Sequence, residues 1–274
     1  MSKKKKKGSI RTHLTLLDKN VPFQVTEAFK TLRTNMVFAL SQKASKVLAV
    51  SSSLASEGKS TTAANTAITL AQANAKVLLI DADLRKPVQH KIFKLKNKLG
   101  LSTLLSGLHS FKEVLNEDVI PNLDVVTCGP IPPNPSEMLG SDNMRVLLDE
   151  LSKYYDYIII DTPPINIVTD TLTMLKYIAG VVLVAMQGST PIDALQHAID
   201  AVNFAEGSIL GVVLTHVDMS SGKYNYKYKY RYKYSSYYSY GYGYGNNANA
   251  KPIELNPETT DPEAKDTEET DIDN

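Results

Sequence analysis

Six short β-branched runs, alternating with amphipathic stretches of helical length, constrain this chain more than any other feature. Lys46–Ser52, Lys76–Asp81, Leu123–Thr127, Tyr157–Asp161, Gly180–Met186 and Ile209–Thr215 read as strands. Strands spaced by helices are joined by crossovers and lie parallel, so the expected fold is α/β, a mostly parallel sheet with helices on both faces. At 274 residues the chain has room for one such domain plus tails. One helix start is marked by Asn134-Pro135-Ser136-Glu137, an N-cap, a proline at the first position and a glutamate at the third, which predicts a helix through Met138–Leu151.

The first strand runs into Ser53-Leu54-Ala55-Ser56-Glu57-Gly58-Lys59-Ser60-Thr61 and then an alanine-rich helix. This nearly completes the phosphate-loop pattern G-x-x-x-x-G-K-[ST], with Ser53 at the place of the first glycine. Gly58 lets the backbone approach phosphate, the amides and helix dipole face the anion, Lys59 reaches the outer phosphates and the Ser60 hydroxyl suits Mg²⁺. Ser56, Glu57, Gly58, Lys59, Ser60 and Thr61 are therefore the candidate nucleotide-binding residues. Leu78-Leu79-Ile80-Asp81-Ala82-Asp83-Leu84-Arg85 ends a second apolar strand with two carboxylates and an arginine, and Ile158-Ile159-Ile160-Asp161 ends another with one aspartate. In a parallel sheet these ends share one edge with the phosphate loop, where ligands bind. Aspartates there are expected as direct or indirect partners of Mg²⁺. The fold expectation sharpens to a P-loop nucleotide-hydrolase type.

Beyond Asp218 the apolar periodicity stops, and the folded unit is expected to end there. Tyr224 to Tyr244 carries eleven of the fifteen tyrosines, alternating first with Lys and Arg and then with Gly. Buried tyrosine hydroxyls need partners, so this segment is a tail and not a core. The formal charge of +1 conceals three blocks: Lys3 to Lys7, five tail cations, and an acidic end from Glu254 to Asp273. The lone Cys128 excludes an intramolecular disulfide and the five histidines lack metal-ligand spacing, which together point to the cytosol. No apolar run nears the ~20 residues of a membrane span, and no secretory signal is expected at the start. The lysine run reads either as a solvated, disordered arm or as a segment drawn to anionic lipid, at about 1 kcal/mol per lysine near the surface.

Taken together, the phosphate loop, Glu27-Ala28-Phe29-Lys30-Thr31-Leu32-Arg33-Thr34-Asn35, Asp81-Ala82-Asp83-Leu84-Arg85-Lys86-Pro87 with His90, Gly100-Leu101-Ser102, Pro132-Pro133-Asn134-Pro135-Ser136-Glu137 and Asp161-Thr162-Pro163-Pro164 resemble the bacterial tyrosine kinases of exopolysaccharide and capsule synthesis. The likeness is to the split form, a cytoplasmic kinase separate from its transmembrane adaptor, and it covers Thr26 to Asp218 plus the tyrosine tail. It implies ATP and Mg²⁺ as cofactors, with Lys59, Asp81 and Arg85 catalytic and Ser60, Asp83 and Asp161 at the metal. Asp81 would accept the proton of the attacking tyrosine, a sensible role because a phenol of pKa ~10 is a poor nucleophile. The implied acceptors are Tyr224, Tyr226, Tyr228, Tyr230, Tyr232, Tyr234, Tyr237, Tyr238, Tyr240, Tyr242 and Tyr244, phosphorylated in trans. Glu27, Lys30 and Arg33 would join unphosphorylated copies into rings, with Lys30 at the place of the family's usual arginine.

The same resemblance implies a transmembrane polysaccharide co-polymerase as adaptor, which would hold the kinase at the inner face of the cell membrane. It also implies a phosphotyrosine phosphatase and polysaccharide-synthesis enzymes as partners. The expected divisions are a basic arm over 1–25, the kinase domain over 26–219, the tyrosine tail over 220–245 and an acidic tail over 246–274. Ala55 and Ser56 replace the loop's common proline and glycine, and Thr215 stands where an asparagine often helps select adenine. Two rivals share some features. A septum-positioning or chromosome-partitioning ATPase has the same fold, but carries an extra early loop lysine where this chain has Leu54. A nucleic-acid module would use the Tyr-Lys tail for stacking and phosphate contact but leave the nucleotide site idle, and no nucleic acid is expected as partner.

Overall fold

The computed structural model describes residues 15–18 and 20–217. The lysine run, the tyrosine tail with all its candidate acceptors and the acidic end lie outside the described residues. Along the chain come α1 (Phe23–Leu40), β1 (Val47–Ser52), α2 (Lys59–Ala71), β2 (Val77–Asp81), α3 (Gln89–Ile92), α4 (Leu101–Leu105), α5 (Phe111–Val114), β3 (Leu115–Ile120) and β4 (Leu123–Val126). Then follow α6 (Pro135–Leu139), α7 (Asp142–Leu151), β5 (Tyr157–Asp161), α8 (Asp170–Thr173), β6 (Gly180–Met186), α9 (Ile192–Phe204) and β7 (Ile209–Thr215). One seven-stranded sheet has the order β3-β4-β2-β5-β1-β6-β7 and is parallel except for the β3–β4 pair.

Every residue of β1, β2 and β5 is buried, because helices cover both faces. Strand alternation divides the core. Leu48, Val50, Leu79, Ile159 and Val182 pack under α1 and the small alanines of α2, whereas Leu78, Ile80, Ile158 and Ile160 face Met144, Leu148 and Leu151 of α7. Ala49, Val181 and Leu183 meet Ala198 and Val202 of α9. Each fully buried Leu or Ile contributes roughly 1.5–3 kcal/mol of transfer free energy, so this two-sided burial is what holds the sheet edge rigid beneath the site.

All six expected strands are present, and a seventh, β3, is added at the edge. Its sequence, Leu-Asn-Glu-Asp-Val-Ile, is polar through the middle, with Asp118 in the left-handed region (φ 47°) and a register irregularity between Asn116 and Ile120. Such charged, irregular strands are tolerated at a sheet edge, where one side needs no partner.

The helix expected through Met138–Leu151 is divided in two. Gly140 closes α6 and Ser141 caps α7, its hydroxyl accepting from the Met144 amide at 3.3 Å. Asn134 does not cap; its amide donates to Glu137 at 2.8 Å. A Cβ on Gly140 would lie 3.1 Å from Thr173, so the break lets α6 press against α8. Gly100 has a related role: a Cβ there would fall 2.1 Å from the Thr127 carbonyl oxygen, because the backbone of Leu101 and Ser102 pairs with Thr127 and Cys128 after β4.

Candidate active site

The C-terminal ends of β1, β2 and β5 bring the expected residues together. Gly58 takes φ 95° and Ser56 φ 68°, which turns the loop so that α2 begins at Lys59. A Cβ on Gly58 would meet Thr215 Cγ2 at 3.3 Å, so the end of β7 also bounds the loop. Lys59 Nζ lies 2.7 Å from Asp83 Oδ2, 3.5 Å from Asp161 Oδ1 and 3.1 Å from Ser60 Oγ. An ammonium thus sits among the three oxygens expected to hold Mg²⁺, standing in for a cation in an all-oxygen donor set suited to a hard metal. Among the described residues no group of three or more His, Cys, Asp or Glu forms a metal cage. The set fits an ion that takes only one or two carboxylates and completes its shell with phosphate oxygens and water.

Burial opposes the Lys59 charge, but the Asp161 and Asp83 carboxylates and the hydrogen bond to Asp83 more than offset it and raise its pKa. Asp161 is fully buried and its pKa is raised by that burial, with Lys59 and the hydrogen bonds from Ser60 and Gln89 opposing. Asp81 is buried too; desolvation and then the Asp161 charge push its carboxyl well above the usual range. Its Oδ2 accepts the amides of Val88 (3.1 Å) and Gln89 (2.9 Å), whereas Oδ1 has no hydrogen-bond partner. Asp83 Oδ1 accepts the Lys86 amide at 2.9 Å, which turns Oδ2 towards Lys59.

Three expected residues are placed differently from a simple ligand-facing role. The Glu57 carboxylate points into the protein, accepting from Ser53 Oγ at 3.1 Å, from the Leu54 amide at 2.8 Å and from Thr190. It braces the loop whose first glycine is replaced by Ser53. Arg85 grips the buried Asp170 through Nε and Nη2, both at 2.9 Å, beside Ser136 of α6. Thr215 Oγ1 lies 2.8 Å from the Glu57 carbonyl oxygen and 3.3 Å from that of Ala185, so its hydroxyl is engaged by the backbone of the loop and of β6. On α1, Lys30 pairs with Glu27 at 2.8 Å on the surface and Arg33 reaches the Thr69 carbonyl of α2 at 3.0 Å.

Residue-level reading of the sequence missed Gln89, Asp170 and Thr190. Gln89 Nε2 donates to Asp161 Oδ2 (2.8 Å) and to the Ser60 carbonyl (3.0 Å). None of the three lies in a phosphate-loop pattern or at a strand end; the "Lys-Pro-x-x-His" spacing brackets Gln89 without marking it. Two cavities of about 390 and 320 Å³, sharing Lys76 and Tyr155, open near the starts of β2 and β5 and include none of the expected site residues.

A mostly parallel sheet, a Gly-Lys-Ser-Thr loop leading from β1 into α2, and acidic ends on β5 and β2 define a P-loop nucleotide-binding protein. The AAA domain family matches residues 45–204. YwqD, a tyrosine-protein kinase of Bacillus subtilis, is 40% identical over 195 residues, 71% of this chain and 82% of YwqD. The solved kinase domain of the Escherichia coli tyrosine kinase ETK superposes with a TM-score of 0.67 at 31% identity, covering 75% of this chain and 85% of that domain. The chain belongs to the bacterial tyrosine-protein kinase family and uses nucleotide. The septum site-determining protein MinD of Pyrococcus horikoshii, at 19% identity and TM-score 0.55, shares the fold only. The tyrosine-kinase reading therefore stands over the septum-positioning rival. No helix among the described residues is long and apolar enough to cross a membrane.

Proposed function

We propose that the chain transfers the γ-phosphoryl group of ATP to tyrosines in the 224–244 tail of another copy, and so regulates exopolysaccharide or capsule synthesis. The observation that carries this reading is the convergence of Ser60, Asp83 and Asp161 within 3.5 Å of the Lys59 ammonium, with Asp81 Oδ1 left without a hydrogen-bond partner. Lys59 would hold the outer phosphates, and Ser60, Asp83 and Asp161 would hold the metal. Mg²⁺ bound there would neutralise charge on the phosphate oxygens. Asp81 Oδ1 accepts the phenol proton as the tyrosine oxygen bonds to the γ-phosphorus, and the bond to the leaving ADP oxygen breaks. Asp81 is buried, and the 82–88 segment that follows it returns the Val88 amide to its Oδ2 at 3.1 Å. Arg85 acts from its anchor on Asp170, keeping that segment tied to α6 and α8.

The remaining expectations belong to this proposal. The kinase domain spans 26–219, flanked by the basic arm and the two tails. Glu27, Lys30 and Arg33 join unphosphorylated copies, a transmembrane adaptor recruits the kinase to the membrane's inner face, and a phosphatase resets the tail. Each phosphotyrosine adds about −1.5 to −2, so three or four offset the five tail cations. Mass spectrometry after incubation with Mg-ATP and an adaptor's cytoplasmic segment tests the reading. Phosphotyrosine in the tail is expected; ATP hydrolysis with no phosphotyrosine anywhere would overturn the proposed transfer to the tail.

A further inference from the structure

Gln89 opens α3 with its side chain fully buried. Its amide nitrogen faces two acceptors, Asp161 Oδ2 at 2.8 Å and the Ser60 carbonyl oxygen at 3.0 Å. Because the Ser60 carbonyl can only accept, the orientation of the amide is determined: nitrogen towards it and Asp161, Oε1 turned away. The backbone amide of the same residue donates to Asp81 Oδ2 at 2.9 Å. One residue therefore ties together the first turn of α2, the end of β5 and the end of β2. With Oδ2 of Asp161 satisfied by this bond, Oδ1 is the oxygen left to face the cation position that Lys59 Nζ marks at 3.5 Å. Two buried oxygens here, Gln89 Oε1 and Asp81 Oδ1, have no donor.

We propose that Gln89 is a positioning residue for the metal–nucleotide site, orienting Asp161 and the Ser60 turn so that cation and phosphate bind together. The inference rests on the reading that Ser60, Asp83 and Asp161 hold Mg²⁺. It extends that reading to a residue that touches neither the nucleotide nor the metal. Carboxylate ligands depend on such supporting hydrogen bonds, whose loss typically lowers metal affinity about 10–100-fold.

Titration calorimetry of ADP into the full chain, in EDTA and across a Mg²⁺ series, provides the test. Gln89→Met keeps the length and removes both donors; Gln89→Ser opens a void that admits a donating water and is the variant to use should the first not fold. For Gln89→Met the half-saturating Mg²⁺ is expected to rise at least tenfold, and for Gln89→Ser to rise less, while the affinity for ADP in EDTA stays within about twofold. Equal weakening with and without Mg²⁺, or an unchanged Mg²⁺ requirement, would overturn the positioning role. Wild-type ADP binding that ignores Mg²⁺ would instead remove the metal reading beneath it, and the two failures are told apart by the wild-type titration alone.

Discussion

Replacing Lys59 with methionine should destabilise the ligand-free chain, quite apart from abolishing phosphoryl transfer. In the resting site one ammonium is set against three buried carboxylates, Asp81, Asp83 and Asp161, and lies 2.7 Å from the second and 3.5 Å from the third. Removing one partner of a buried ion pair leaves an uncompensated charge and costs about 3–5 kcal/mol. For a folded unit of this size each kcal/mol shifts the melting temperature by roughly 2–4 °C, so a fall of about 6–20 °C is expected near pH 8. The pH dependence follows from the raised carboxyls. Asp81 and Asp161 bind protons more tightly folded than unfolded, so the stability linked to them is present in acid and is lost as pH rises through their folded values. Without the Lys59 charge, which lowers both, they rise further. The deficit of the variant should therefore be largest near pH 8 and shrink towards pH 5. Lys59 itself, with its pKa raised, stays charged throughout that window. Thermal unfolding followed by circular dichroism at both pH values, without nucleotide or Mg²⁺, measures this. A variant that melts with the wild type at pH 8, or loses equally at both pH values, would refute the charge-compensation account.

Asp81→Asn keeps an oxygen for the Val88 and Gln89 amides but removes the proton acceptor. ADP binding should survive while tail phosphorylation drops about 10²–10⁴-fold, and an unchanged rate in a radiolabelled ATP assay would reassign the base. The same change discharges a buried carboxylate beside Asp161, so the variant should melt above the wild type near pH 8. Glu57→Gln should cost about 1–3 kcal/mol of unfolding free energy, seen as a lower urea midpoint at an unchanged slope, because an amide cannot accept from Ser53, Leu54 and Thr190 together; an unshifted midpoint would show that the brace is dispensable.

The central strands were legible from sequence because burial on both faces demands continuous apolar runs, and β1, β2 and β5 have nothing else. The phosphate loop and the aspartates at the ends of β2 and β5 were legible for a related reason: a charged or glycine-rich interruption right after such a run stands at the sheet edge where ligands bind. β3 was not legible, since an edge strand is stabilised by its neighbour and carries no pattern of its own. Nor was the break at Gly140, which depends on α6 meeting α8.

Within the site, local sequence determined which residues stand at the sheet edge, and only the tertiary structure decided which way they point. Glu57 belongs to the phosphate loop by position yet turns inward, because Ser53, Leu54 and Thr190 offer it donors from separate parts of the chain. Arg85 follows the acidic pair in sequence yet is held by Asp170, which lies 85 residues away. Gln89, unmarked by any motif, spans three elements. A side chain's hydrogen-bond partners are set by what the fold brings within about 3 Å, and that distance is a property of packed elements far apart in sequence.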